Sequence, residues 1–130
     1  MYLLDTDIVI WITRGRKDIL DVVAKLVSEG GTAISTISIA EIYAGILPHE
    51  VEAIEIFLKE QEIIDVSLVI AKTGGYYWLE NRKSLKNLNL ADCIVAATAK
   101  IQNATLVTLN TRHFSMTDIK VLNPLRKSAF

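Results

Sequence analysis

The sequence predicts a parallel, doubly wound α/β fold. Short apolar runs alternate along the chain with segments of helical period, the pattern of strands joined by crossover helices. Glycine, proline and helix-capping residues fall at the joins. Four polar residues, Asp5, Glu41, Asp92 and Asn110, then fall at strand ends or helix starts, which share one edge in such a sheet.

The strand-like runs cover residues 2–4, 32–37, 62–66, 105–109 and 119–122. A first short helix starts near Ile8, with Asp5 or Asp7 as its cap. Ile19, Val22, Val23, Leu26 and Val27 then recur at helical spacing until Gly30-Gly31 stops the run. Residues 38–46 read as a helix halted near Pro48, and Ser38-Ile39-Ala40-Glu41 has the form of a capping box at its start. Residues 50–60 carry Val51, Ile54, Phe57 and Leu58 on one side. Residues 68–85 form a longer helix in which Gly74-Gly75 weakens the helix but permits close packing. Residues 89–102 are rich in Ala91, Ala96, Ala97 and Ala99, small enough to lie tight against a sheet.

A chain of 130 residues without repeats or linkers is expected to form one domain, 1–130. Folding at this size buries about two-thirds of the extended-chain surface, enough for a core without disulfides. The hydrophobic content is 51%, high for a small protein, which points to apolar surface covered in an oligomer or a complex. A net charge of −1 supplies no global basic field for nucleic acid, so any such binding depends on local patches. Basic residues cluster at Arg14-Gly15-Arg16-Lys17, at Arg82-Lys83 with Lys86, at Arg112 and at Arg126-Lys127. Arg14, Arg16 and Arg112 stand nearest in sequence to the acidic rim and are the candidates for steering a phosphate backbone.

Cys93 is the only cysteine, which excludes an internal disulfide and fits a reducing cytoplasm. Its setting among Ala91, Ile94 and Ala96 reads as a small buried position. A strand-like start leaves no room for a signal peptide, and no apolar run approaches the ~20 residues of a membrane helix. With His49 and His113 as the only histidines, a zinc site is not expected. His113 reads as a loop residue bonding locally.

Each acid has a structural explanation when taken alone. Asp5 and Asp7 cap one helix, Glu41 completes a capping box, and Asp92 favours the dipole of the helix that starts at Asn89. Caps do not explain why Asp5, Glu41 and Asp92 lie on one rim. Three converging carboxylates repel one another unless a cation neutralises them, so the set reads as a site for a hard divalent metal. Asn110 joins it as a neutral or outer ligand, and Thr108 as a strand residue or a site hydroxyl. Asp5-Thr6-Asp7 also has the D-x-D form of haloacid-dehalogenase-type phosphatases, but the chain is too short for that catalytic domain.

The ordered set of segments resembles the PIN-domain family, and within it the VapC-type toxins of toxin–antitoxin pairs. The matching segments are Leu4-Asp5-Thr6-Asp7, the run from Ser38 to Gly45, the run from Leu90 to Ala99, and the run from Leu106 to Phe114. That resemblance implies a three-layer α/β/α sandwich with a mainly parallel sheet, and an endoribonuclease dependent on Mg²⁺ or Mn²⁺. It implies Asp5, Glu41 and Asp92 as catalytic and metal-binding acids, with Thr6 and Thr108 as accessory polar positions. Asn110 falls where many members carry a fourth acid, so one dominant metal is the expectation. The resemblance further implies a homodimer held neutral by a cognate antitoxin, and an RNA substrate hydrolysed by metal-activated water to a 5′-phosphate and a 3′-hydroxyl.

Two other readings compete. A receiver-like phosphoacceptor domain has similar length, and Asp5, Asp7, Asp65 and Thr108 imitate its pattern in part. It leaves Glu41 and Asp92 unexplained, and Leu122-Asn123-Pro124 shows no lysine where one is required. A catalytically degenerate PIN module that binds RNA or protein rests on Asn110 alone.

Overall fold

A computed structural model of the protein describes residues 1–126. Its five strands are β1 (Tyr2–Leu4), β2 (Thr32–Ser35), β3 (Glu62–Ile64), β4 (Thr105–Val107) and β5 (Lys120–Leu122). The helices that connect them are α1 (Thr6–Thr13), α2 (Lys17–Gly30), α3 (Thr36–Gly45), α4 (Val51–Lys59), α5 (Leu68–Asn81) and α6 (Leu90–Ile101). The sheet order is β3-β2-β1-β4-β5, and every neighbouring pair is parallel. Among the described residues no helix is long and apolar enough to cross a membrane.

Period-two alternation in the strands generates the layers. Leu3, Ala33 and Leu106 turn to one face, where Ile70 and Tyr77 of α5 and Val95, Ala96 and Ala99 of α6 cover them. Leu4, Ile34 and Val107 turn to the other, against Ile8 of α1, Ile19 of α2, Ile42 of α3 and Ile54 of α4. Helices on both faces of a parallel sheet give the three-layer α/β/α sandwich. Burying each large aliphatic side chain contributes about 1.5–3 kcal/mol. Cys93 is fully buried in the first of these cores, and burial pushes its thiol up to about 11.

The strand order rejects the receiver reading. In a flavodoxin-like sheet β1 lies between β2 and β3. Here β1 lies between β2 and β4, and Asp65 follows the edge strand β3, exposed. The chain reverses direction across the sheet between β1 and β4. That switch point is where parallel sheets open a crevice for ligands, and Asp5 and Thr108 stand on either side of it.

Several boundaries differ from the sequence expectation. The run 32–37 stops as a strand at Ser35, whose hydroxyl accepts the N–H of Ile37 at 3.2 Å and caps α3. Ser38 is therefore inside the helix, fully buried and without a hydrogen-bond partner, and no capping box joins it to Glu41. Glu41 stands in the second turn of α3, not the first. The helix expected over 68–85 ends at Asn81. At α6 the expectation holds: the Asn89 side chain accepts the N–H of Asp92 at 2.8 Å. Lys127 of the last basic cluster lies outside the described residues.

Gly74 is where α5 and α6 approach most closely. A Cβ there would lie 3.1 Å from the Ile94 Cα and 3.0 Å from its Cγ1, whereas one on Gly75 would meet nothing within 4 Å. Alanine gains about 1 kcal/mol of helix propensity over glycine at either position. Overpacking against backbone costs about 1–3 kcal/mol, which outweighs that gain at Gly74. Thermal melting should show Gly74→Ala destabilised and Gly75→Ala unchanged or raised. Equal shifts for the two variants would mean that the α5–α6 spacing is not set by Gly74.

Candidate active site

Asp5 is the residue that leaves β1 and caps α1. Its Oδ1 accepts the N–H of Thr6 at 2.9 Å, and its Oδ2 accepts the hydroxyl of Thr108 at 2.8 Å. Thr108 continues from β4, where its N–H donates to the Leu122 carbonyl at 3.0 Å, and its side chain is fully buried. Asp5 is itself only 5% exposed. Burial, then the neighbouring Asp7 charge, pushes its carboxyl up to about 7, against the lowering effect of the Thr108 and Thr6 hydrogen bonds.

The other acids surround this anchor. Thr6 donates its hydroxyl to Glu41 Oε1 at 2.8 Å, fixing α3 to the start of α1. Asp92, in the first turn of α6, has a side chain 14% exposed. Burial raises its pKa; His113 opposes that shift and Glu41 adds to it. His113 Nδ1 lies 3.2 Å from Asp92 Oδ2, an ion-pair distance without the alignment of a hydrogen bond. Asp7 accepts the N–H of Leu109 at 3.1 Å and the Asn110 side-chain N–H at 3.3 Å, both through Oδ2. Its Oδ1 is buried with no partner, and burial also raises its pKa.

Asp5, Asp7, Glu41 and Asp92 line one open pocket at the switch point, with Thr6, Asn110 and His113 on its walls. No lysine or arginine lines it among the described residues. Four carboxylates, with proton affinity raised at Asp5, Asp7 and Asp92 and a buried Asp7 Oδ1 that has no partner, suit a hard divalent cation. No three acidic, imidazole or thiol side chains among the described residues already close around an ion-sized centre. Threonine hydroxyls engage two of the acids instead, so coordination requires side chains to turn inward.

Asp5, Thr6, Glu41, Asp92 and Asn110 thus meet as the sequence suggested, with Thr108 bonded to Asp5 behind them. The arginines do not all follow. Arg14 pairs with Glu50 at 3.0 Å, and Arg16 pairs with Asp18 at 2.9 Å while its guanidinium stacks on Trp11. Neither lines the pocket. Arg112 is exposed in the short 3₁₀ turn Thr111–His113 and makes no ion pair among the described residues. Asp7 and His113, a helix cap and a local loop residue by sequence, both line the pocket. The D-x-D spacing is the one sequence signal for Asp7; His113 has none, since the 3₁₀ turn that returns it to the side of Asn110 is seen only in the structure.

Strand order and acidic pocket define an α/β protein with a carboxylate site at the switch point of its sheet. The PIN domain model matches residues 2–120, and the chain belongs to the PIN domain family. Ribonuclease VapC10 of Mycobacterium tuberculosis is 33% identical over 116 residues, covering 89% of this chain and 87% of that protein. Ribonuclease VapC2 of Rickettsia felis is 34% identical over 124 residues, covering 88% of this chain and 90% of that protein. The crystal structure of VapBC2 from Rickettsia felis, bound to a DNA fragment from its promoter, matches with a TM-score of 0.78 at 26% identity. It covers 94% of this chain and 97% of the other.

Proposed function

We propose that this chain is an endoribonuclease dependent on Mg²⁺ or Mn²⁺, the toxin of a toxin–antitoxin pair. The observation that carries the reading is the single pocket of four carboxylates, in a chain similar over most of its length to proteins named ribonuclease. Asp5, Glu41 and Asp92 would hold the cation. Asn110 commits its side-chain N–H to Asp7, which leaves only its amide oxygen as an outer ligand. A bound Mg²⁺ or Mn²⁺ offsets phosphate charge and lowers the pKa of a nearby water.

The chain's own residues then have separable tasks. Thr108 and Thr6 hold Asp5 and Glu41 in fixed orientations. Asp92 lines the pocket and has a raised pKa, which suit it to accept a proton from the attacking water. His113 stands against that carboxylate and limits its rotation. RNA with an accessible backbone is the substrate class, since the pocket is open and its acids are placed to bind a cation that engages a phosphodiester.

The cognate antitoxin is the proposed protein partner, as in the VapBC2 complex, and a homodimer the proposed assembly. Leu68, Val69, Tyr76 and Leu79 leave the outer side of α5 strongly apolar and exposed, surface suited to such contacts. The lone, buried cysteine supports assignment to a reducing cytoplasm.

Purified protein should cleave single-stranded or looped RNA with Mg²⁺ or Mn²⁺ and stop when EDTA is added. Undiminished cleavage in EDTA would exclude the metal mechanism. RNA binding without cleavage under any divalent cation would favour the degenerate binding module. A short reading frame adjoining this gene is the place to look for the antitoxin: co-expression with its product should yield an inhibited complex, and full activity in its presence would remove that product as the antitoxin.

A further inference from the structure

Asp7 has two faces in this site. Its Oδ2 is tied to the segment after β4 by the Leu109 N–H at 3.1 Å and the Asn110 side-chain N–H at 3.3 Å. Its Oδ1 is buried, makes no hydrogen bond, and belongs to a side chain that lines the pocket beside Asp5 and Asp92. An acid at position 110 would face Asp7 across about the same 3.3 Å, where two carboxylates repel. An amide there donates instead. The pair therefore accommodates one charge, and the sequence puts it on residue 7.

We propose that Asp7 supplies the fourth carboxylate of the metal site and that Asn110 is the neutral partner that fixes it. The proposal rests on the metal-dependent reading above and deepens it. A purely structural latch is the competing role, and chemistry separates the two. In Asp7→Asn an amide oxygen still accepts the Leu109 N–H, so the latch survives while the charge is lost.

Titration with Mn²⁺ by calorimetry, beside metal-free melting, tests this on the full chain. Asp7→Asn should lose affinity on the order of 10- to 100-fold, the range for removing a group that ligates or orients at a metal site. Its metal-free melting temperature should stay level or rise. Asn110→Asp should melt lower without metal, because it sets a second charge against Asp7. The exchange variant Asp7→Asn/Asn110→Asp returns one charge to the pair and should recover Mn²⁺ affinity. Its melting temperature should not fully return, because one amide group of Asn at position 7 cannot both accept the Leu109 N–H and donate to the acid at 110 from the place of Oδ2. Unchanged affinity in Asp7→Asn, or an exchange variant that binds no better than Asp7→Asn, would overturn the proposal while leaving the metal reading intact. Wild-type protein that binds no Mn²⁺ at all would overturn the metal reading and this proposal with it.

Discussion

Asp92→Asn is expected to reduce RNA cleavage by about 10²- to 10⁴-fold, the range for losing a positioned general base. The fold should survive. The Asn89 side chain caps α6 through the backbone N–H of residue 92, a contact that the substitution leaves alone. Loss of an acid from the first turn costs about 0.3–1 kcal/mol against the helix dipole. Relief of a buried charge beside Glu41 works in the opposite direction, since burial and Glu41 both favour the neutral form. Melting should therefore stay near the wild type while single-turnover cleavage collapses. Unfolding of Asp92→Asn would mean that residue 92 is a structural cap, and retention of near-full activity would take the base away from α6. Glu41→Gln sharpens the comparison, because Gln still accepts the Thr6 hydroxyl and no capping box is at stake.

What could be read from the sequence was local. Leu3-Leu4 and Leu106-Val107 read as the continuous apolar runs of strands buried on both faces, and Asn89 and Asp92 announce the start of α6 within four positions. The capping of α3 was misread because Ser35, Thr36 and Ser38 are all competent caps. Only tertiary structure settles the choice: Ser35 ends a strand whose four residues are all buried, and Ser38 faces inward. Strand order has no local signature at all, since it depends on the chain returning from edge strand β3 to the far side of β1. The roles of Asp7 and His113 were hidden for the same reason. Asp7 meets Leu109 across 102 positions, and His113 meets Asp92 across an intervening helix and strand. Arg14 is a candidate for steering phosphate by sequence but pairs with Glu50, 36 residues away, a partner that sequence proximity does not reveal.

The metal-free protein should become less stable as pH rises from about 4 to about 7, and Asp5 should be the main cause. Its carboxyl, ordinarily near 3.8, is pushed up to about 7 by burial and by Asp7. Within that window folded Asp5 keeps a proton that the unfolded chain has released. The unfolded state then binds fewer protons, so stability falls with rising pH, by up to about 1.4 kcal/mol per pH unit for one such group. Asp7 and Asp92 are raised as well and act in the same direction. Glu50, lowered first by its hydrogen bond to Arg14, acts oppositely, but only as pH falls below the ordinary carboxylate range. Asp5→Asn removes the charge and keeps an acceptor for the Thr6 N–H but not for the Thr108 hydroxyl, so its melting temperature should vary less between pH 5 and 7 than the wild type, with the remaining slope due to Asp7 and Asp92. Bound Mn²⁺ favours the ionised acids, so by linkage it should raise the wild-type melting temperature more at pH 7 than at pH 5 and reduce the slope. A wild-type and an Asp5→Asn protein with parallel melting profiles across this window would show that Asp5 ionises in the folded chain at its ordinary pH, and the acidic pocket would then need no cation to hold it together.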